Sequence, residues 1–123
     1  MSEPRASEPK GPTAGAQPKV PEVGFDELAR ALESGAPLVD VRMPDEYAVV
    51  HVPEAVLIPL PELATRAEEL VKDRRVYVIC ASGGRSLVAA EALNRAGWDA
   101  VSVAGGTKGW ASEGRAVSRG PEV

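Results

Sequence analysis

Residues 75–80, RVYVIC, constrain the fold more than any other stretch of the chain. From Val76 onward the run is apolar and rich in β-branched side chains, with no polar residue at alternate positions. A strand of this kind is buried on both faces. It therefore belongs inside a parallel sheet that carries helices above and below. Three further short runs are strand-like: APLVDV at 36–41, AVLIPL at 55–60 and WDAVSVAGG at 98–106. Helical patterns separate them. FDELARALESG places Phe25, Leu28, Ala29 and Leu32 on one face and stops at Gly35. MPDEYA has Pro44 at a first helical position with acids in the first turn. PELATRAEELVK predicts a helix over 61–72, with Leu63, Ala67 and Leu70 on its buried face, and RSLVAAEALNRAG predicts one that ends at Gly97. TKGWASEG allows one more short helix. The alternation predicts an α/β fold: an open parallel sheet of about five short strands with helices on both faces.

A chain of 123 residues fits one domain and can bury a real core. Composition divides it. Residues 1–19 are rich in Pro, Gly, Ala, Ser and charge and lack large apolar residues beyond Met1, which reads as a disordered tail. Residues 20–118 carry the organised pattern, and 119–123 read as a short C-terminal tail. The formal net charge of −4 argues against a nucleic-acid partner or an acidic membrane. No apolar run is long enough for a transmembrane helix. Glu3 and Glu8, with no apolar stretch beside them, do not form a signal peptide, so the expected location is the cytoplasm.

Cys80 is the only cysteine and His51 the only histidine. A cysteine zinc cluster and an internal disulfide are both excluded on that count. Cys80 sits at the expected carboxyl end of a central strand, where open α/β sheets bind ligands. The turn ASGGRS then opens a helix, whose first N–H groups favour negative charge. A thiol there is expected to have a depressed pKa. Gly83 and Gly84 allow the backbone to curl into an anion nest, and Arg85 adds fixed positive charge. Ser86 can either cap the helix or hydrogen-bond the sulfur. Against this stands the plain alternative, since a lone cysteine in an apolar run is most often a small buried hydrophobe. The ordered combination of strand, Cys, Gly-Gly, Arg, Ser and helix favours the nucleophile.

CASGGRS at 80–86 resembles the active-site loop of rhodanese-type sulfurtransferases, and three other segments agree in order. LVDVRMPDEY at 38–47, HVPEAVLIPL at 51–60 and VAGGTKGW at 103–110 are similar to the family's other signatures, so the resemblance covers residues 20–117. It implies a sulfurtransferase that moves a sulfane sulfur from a donor such as thiosulfate to cyanide or a thiol through a Cys80 persulfide. The implied anion-binding loop is Ala81, Ser82, Gly83, Gly84, Arg85 and Ser86. Asp40, Arg42 and Glu46 are the implied supporting residues: Asp40 and Arg42 in buried ion pairs, Glu46 as a partner for Arg85. No cofactor or metal is implied. Partners are the small-molecule donor and acceptor, with a protein donor or acceptor also open.

Two alternatives come from different classes: a persulfide carrier serving a dedicated protein partner, and a cysteine-dependent phosphatase or arsenate reductase. The relatives that are phosphatases place five residues between Cys and Arg, whereas four lie between Cys80 and Arg85 here. The chain also departs from the rhodanese pattern. Val50 and Glu54 stand where the family commonly has Gly, which predicts altered local backbone. Ala81 stands where many relatives carry a basic residue, which predicts weaker hold on thiosulfate. His51 is expected to be structural, and Trp98 and Trp110 to be packing residues. GGTKGW has the wrong residue order for a phosphate loop.

Overall fold

A computed structural model describes residues 20–122, and the expected tail over 1–19 lies outside the described residues. Five strands form one sheet: β1 (Glu22–Val23), β2 (Leu38–Asp40), β3 (Val56–Leu57), β4 (Val76–Ile79) and β5 (Ala100–Val103). Their spatial order is β1-β5-β4-β2-β3, and every pair is parallel. Among the described residues the α-helices are α1 (Phe25–Glu33), α2 (Pro44–Val49), α3 (Leu63–Arg66), α4 (Gly84–Arg95) and α5 (Gly106–Ser112). β4 occupies the centre, and all four of its residues are buried.

The period-two geometry of β4 splits the core in two. Val76, Val78 and Cys80 point to one side, where Leu63, Ala89, Ala90, Leu93 and Trp98 pack. Tyr77 and Ile79 point to the other, against Leu28, Tyr47 and Trp110. α3 and α4 therefore cover one face, while α1, α2 and α5 cover the other. Phe25, Ala29 and Leu32 join Leu28 on the apolar side of α1, and its chain turns at Gly35, where φ is 82°.

Three elements differ from the sequence reading. β1 has only two residues, too short for a periodic signal, and it pairs with β5 at the sheet edge. β3 is shorter than AVLIPL, although the Ile58 and Leu60 amides still donate to the Asp40 and Val41 carbonyls beside it. The expected helix over 61–72 is broken into a 3-10 turn (Leu60–Glu62), the single turn of α3, and a second 3-10 turn (Ala67–Glu69). Its three apolar anchors do face the core, with Leu63 buried and Ala67 and Leu70 packed against the cluster. At Leu70 the backbone becomes extended, and its carbonyl accepts the Trp98 indole N–H at 3.1 Å. That contact holds the end of the segment against a residue distant in sequence.

Residues beyond α5 run back across α2. Ser118 and His51 exchange backbone hydrogen bonds, and the Gly120 amide donates to the Ala48 carbonyl at 2.7 Å. Residues 119 and 120, read as a tail, are thus tied to the domain.

Candidate active site

The chain leaves β2 for the β3 edge and returns to β4 on the opposite side of β2, so the strand order reverses between β2 and β4. Crevices at such reversals, outside the carboxyl ends of the strands, are where open α/β sheets hold ligands. The segment after β2, the Cys80 loop after β4 and the start of α5 after β5 all meet at this end.

Cys80 directly follows β4 at this end of the sheet, with 1% of its surface exposed. Its sulfur accepts N–H donors from Gly83 at 3.1 Å and Ser86 at 3.3 Å, and Ser86 Oγ lies 3.4 Å away. Gly83 reaches this position with φ of 120°, a conformation that L side chains rarely adopt. Burial pushes the thiol pKa up, but the Ser86 hydroxyl and the amides of Ser86, Gly83 and Ser82 outweigh it. The net direction is downward. Ser86 therefore takes the sulfur-bonding role, and no side chain caps α4. The amides of Gly84 and Arg85 lie in the first turn of α4 and have no carbonyl partner within the helix.

Arg85 does not point a free charge at the sulfur. Its Nη1 and Nη2 donate to Glu46 Oε1 and Oε2, each at 2.9 Å, which ties α4 to α2. Glu46 Oε1 also accepts the Met43 amide at 2.9 Å. The Arg85 guanidinium first, and then the Met43 amide, hold the Glu46 carboxyl down from 4.5 to about 2. Asp40 and Arg42 form a separate buried pair, with Nε to Oδ1 and Nη2 to Oδ2 both at 2.9 Å. Arg42 Nη2 also donates to the Val50 carbonyl at 2.8 Å, so the pair fastens the end of β2 to the end of α2. Neither residue bonds the sulfur.

His51 is fully buried, its ring stacked on Tyr47 at 3.7 Å between centroids. Nδ1 lies 2.9 Å from the Tyr47 carbonyl, and no bond joins the ring to Cys80. Trp98 and Trp110 are packed into the two halves of the core.

Two contributors escaped the sequence reading. The segment after β5 reaches the Cys80 loop: the Thr107 amide donates to the Cys80 carbonyl at 2.8 Å and the Lys108 amide to the Ala81 carbonyl at 3.0 Å. Gly106 permits this approach, since a Cβ there would lie 2.6 Å from the Cys80 carbonyl oxygen. The paired glycines of GGTKGW were the available signal. The second contributor is Ser102 in β5, whose hydroxyl lies 2.7 Å from Ser86 Oγ. One serine inside an apolar strand carries no such signal. Beside the loop, Arg42, Glu46, Val49, Ala81, Thr107 and Lys108 line part of a groove of about 610 Å³.

The profile of the Rhodanese-like domain family matches residues 25–113, which takes in the loop and both of its supports. The chain belongs to the rhodanese-like domain family. It is similar to the putative sulfur carrier protein YrkF of Bacillus subtilis, 36% identical over 94 residues, which covers 74% of this chain and 51% of the relative. The chain thus spans about half the length of that protein. A sulfurtransferase of Allochromatium vinosum is 38% identical over 78 residues, 63% of this chain and 73% of that one. Among solved structures, a rhodanese-related protein from Thermoplasma volcanium superposes with a TM-score of 0.75 at 32% identity. That match covers 80% of this chain and 97% of the other.

Proposed function

We propose that the protein transfers sulfane sulfur through a persulfide on Cys80. The observation that carries this reading is a single buried sulfur ringed by hydrogen-bond donors at the foot of a helix, with its pKa lowered. Rhodanese-like membership and relatives named as a sulfurtransferase and a sulfur carrier support sulfur transfer in general. With thiosulfate, the Cys80 thiolate attacks the outer sulfur, a new S–S bond forms, and the donor S–S bond breaks as sulfite leaves with its electron pair. The acceptor, cyanide or a thiolate, then attacks the terminal sulfur and Cys80 leaves as thiolate. This is covalent catalysis with ping-pong kinetics. The Gly84 and Arg85 amides of the first helical turn supply donors for the outer sulfur, a preorganised electrostatic stabilisation.

A second reading, a persulfide carrier fed by a protein partner, is favoured by the charge at the mouth. Arg85 is neutralised by Glu46 and Arg42 by Asp40, and Ala81 adds no charge. Lys108 is then the one lining cation outside an ion pair among the described residues, so a dianion such as thiosulfate gains less there than in a mouth with several free cations.

The test is intact mass after incubation with thiosulfate, with Cys80→Ser as control. A gain of one sulfur atom on the native chain alone, reversed by cyanide, is the expected outcome. No adduct on a folded protein whose thiol still alkylates would overturn thiosulfate as donor and leave the carrier reading.

A further inference from the structure

Ser102 stands in β5 with none of its surface exposed, and the chemistry above gives it no part. Among the described residues its hydroxyl has one partner, Ser86 Oγ at 2.7 Å. Ser86 Oγ lies 3.2 Å from the Gly83 carbonyl and 3.4 Å from Cys80 Sγ. Two hydroxyls bring two protons, and this restricts the arrangements. If Ser86 donated to Ser102, the Ser102 proton would have no acceptor and the sulfur would lose its hydroxyl donor. If Ser102 donates to Ser86, both protons are placed. A buried unpaired donor is costly, so the second arrangement prevails.

We infer that Ser102 is a positioning residue: it donates to Ser86, reserves the Ser86 proton for the loop, and so helps set the ionisation of Cys80. While the sulfur is a thiol, its S–H donates to the remaining lone pair of Ser86 Oγ and the Ser86 proton goes to the Gly83 carbonyl. When the thiol gives its proton to solvent, the Ser86 proton swings to the thiolate, because a charged acceptor holds a hydrogen bond more strongly than a carbonyl does. Ser102 donates in both states. By polarising Ser86 it strengthens the bond to the charged sulfur. The charged groups around the loop are Arg85 on α4, Glu46 on α2, Asp40 at the end of β2, Arg42 just after it, and Lys108 on α5. A change at position 102 removes none of them.

This inference concerns the same sulfur that the proposed function uses, but its test needs no sulfur donor and is independent of the persulfide reading. The rate of iodoacetamide alkylation of Cys80, the only thiol in the chain, is followed against pH. Ser102→Ala is expected to move the midpoint up by about half a pH unit, and Ser86→Ala by about one unit or more. The double variant is expected to match Ser86→Ala alone, because Ser102 acts only through Ser86. Ser102→Thr and Ser102→Val add a matched pair of equal shape that differs in the hydroxyl, and only Val is expected to raise the midpoint. An unchanged midpoint in Ser102→Ala, shifts that add in the double variant, or equal midpoints for Thr and Val would each overturn the inference.

Discussion

Glu54 carries a φ of 74°, the only positive value at a non-glycine among the described residues. The left-handed region costs a side-chain-bearing residue about 1–2 kcal/mol. Glycine relieves that cost but raises the entropy of the unfolded chain, which offsets about 0.5–1 kcal/mol of it. Glu54→Gly is therefore expected to stabilise the protein by about 0.5–1 kcal/mol, read as a higher urea midpoint. Val50, the other departure from the family glycines, has φ of −165° and ψ of 139°, extended backbone open to any residue. The two departures look alike in sequence and differ in kind, since only one occupies a turn that bends left-handed. At the same scale, Cys80, Gly83, Ser86 and Arg85 were legible because residue type and order together specify a nest. Ser102 was not, because its role depends on β5 lying beside β4, and nothing local announces that neighbour.

The Arg85–Glu46 bridge is an element-scale device, since it joins the start of α4 to the start of α2. Glu46 is held near pKa 2 in the folded protein against an ordinary 4.5. A depressed acid adds stability that is present above its unfolded pKa and is lost as pH falls through the folded one. The wild type is expected to lose this contribution between about pH 4.5 and 2. Glu46→Gln is expected to lack it at all pH values, so the two melting curves against pH converge at the acid end. Both side chains are about a third exposed, so salt should shrink the difference. The family resemblance implies Glu46 as the partner of Arg85, and the two side chains meet in a two-bond pair. The broken α3 segment shows the limit at this scale. Its apolar spacing marks the core-facing side, but the packing that sets its backbone comes from distant residues, among them Trp98, 28 positions away, whose indole bonds the Leu70 carbonyl.

At the scale of the whole molecule, residues 115–122 act as a strap over α2 and α5. The Trp110 indole donates to the Ala116 carbonyl at 2.7 Å, Ser118 pairs with His51, and the Arg119 guanidinium donates to the Val49 carbonyl at 3.2 Å. Deleting residues 115–123 removes several such bonds and is expected to cost about 2–4 kcal/mol at roughly 1 kcal/mol per net hydrogen bond. Chemical denaturation reads the loss. The alkylation midpoint of Cys80 should stay in place, because none of these bonds reaches its loop. The α/β class and the central strand follow from short-range periodicity, and the turn around Cys80 follows from adjacent residues, so a linear reading reaches all three. The strand order, the edge strand β1, the approach of Gly106 to Cys80 and the Ser102–Ser86 contact emerge from the folded chain alone. Each of those depends on which distant segments are brought side by side, and packing sets that rather than local preference.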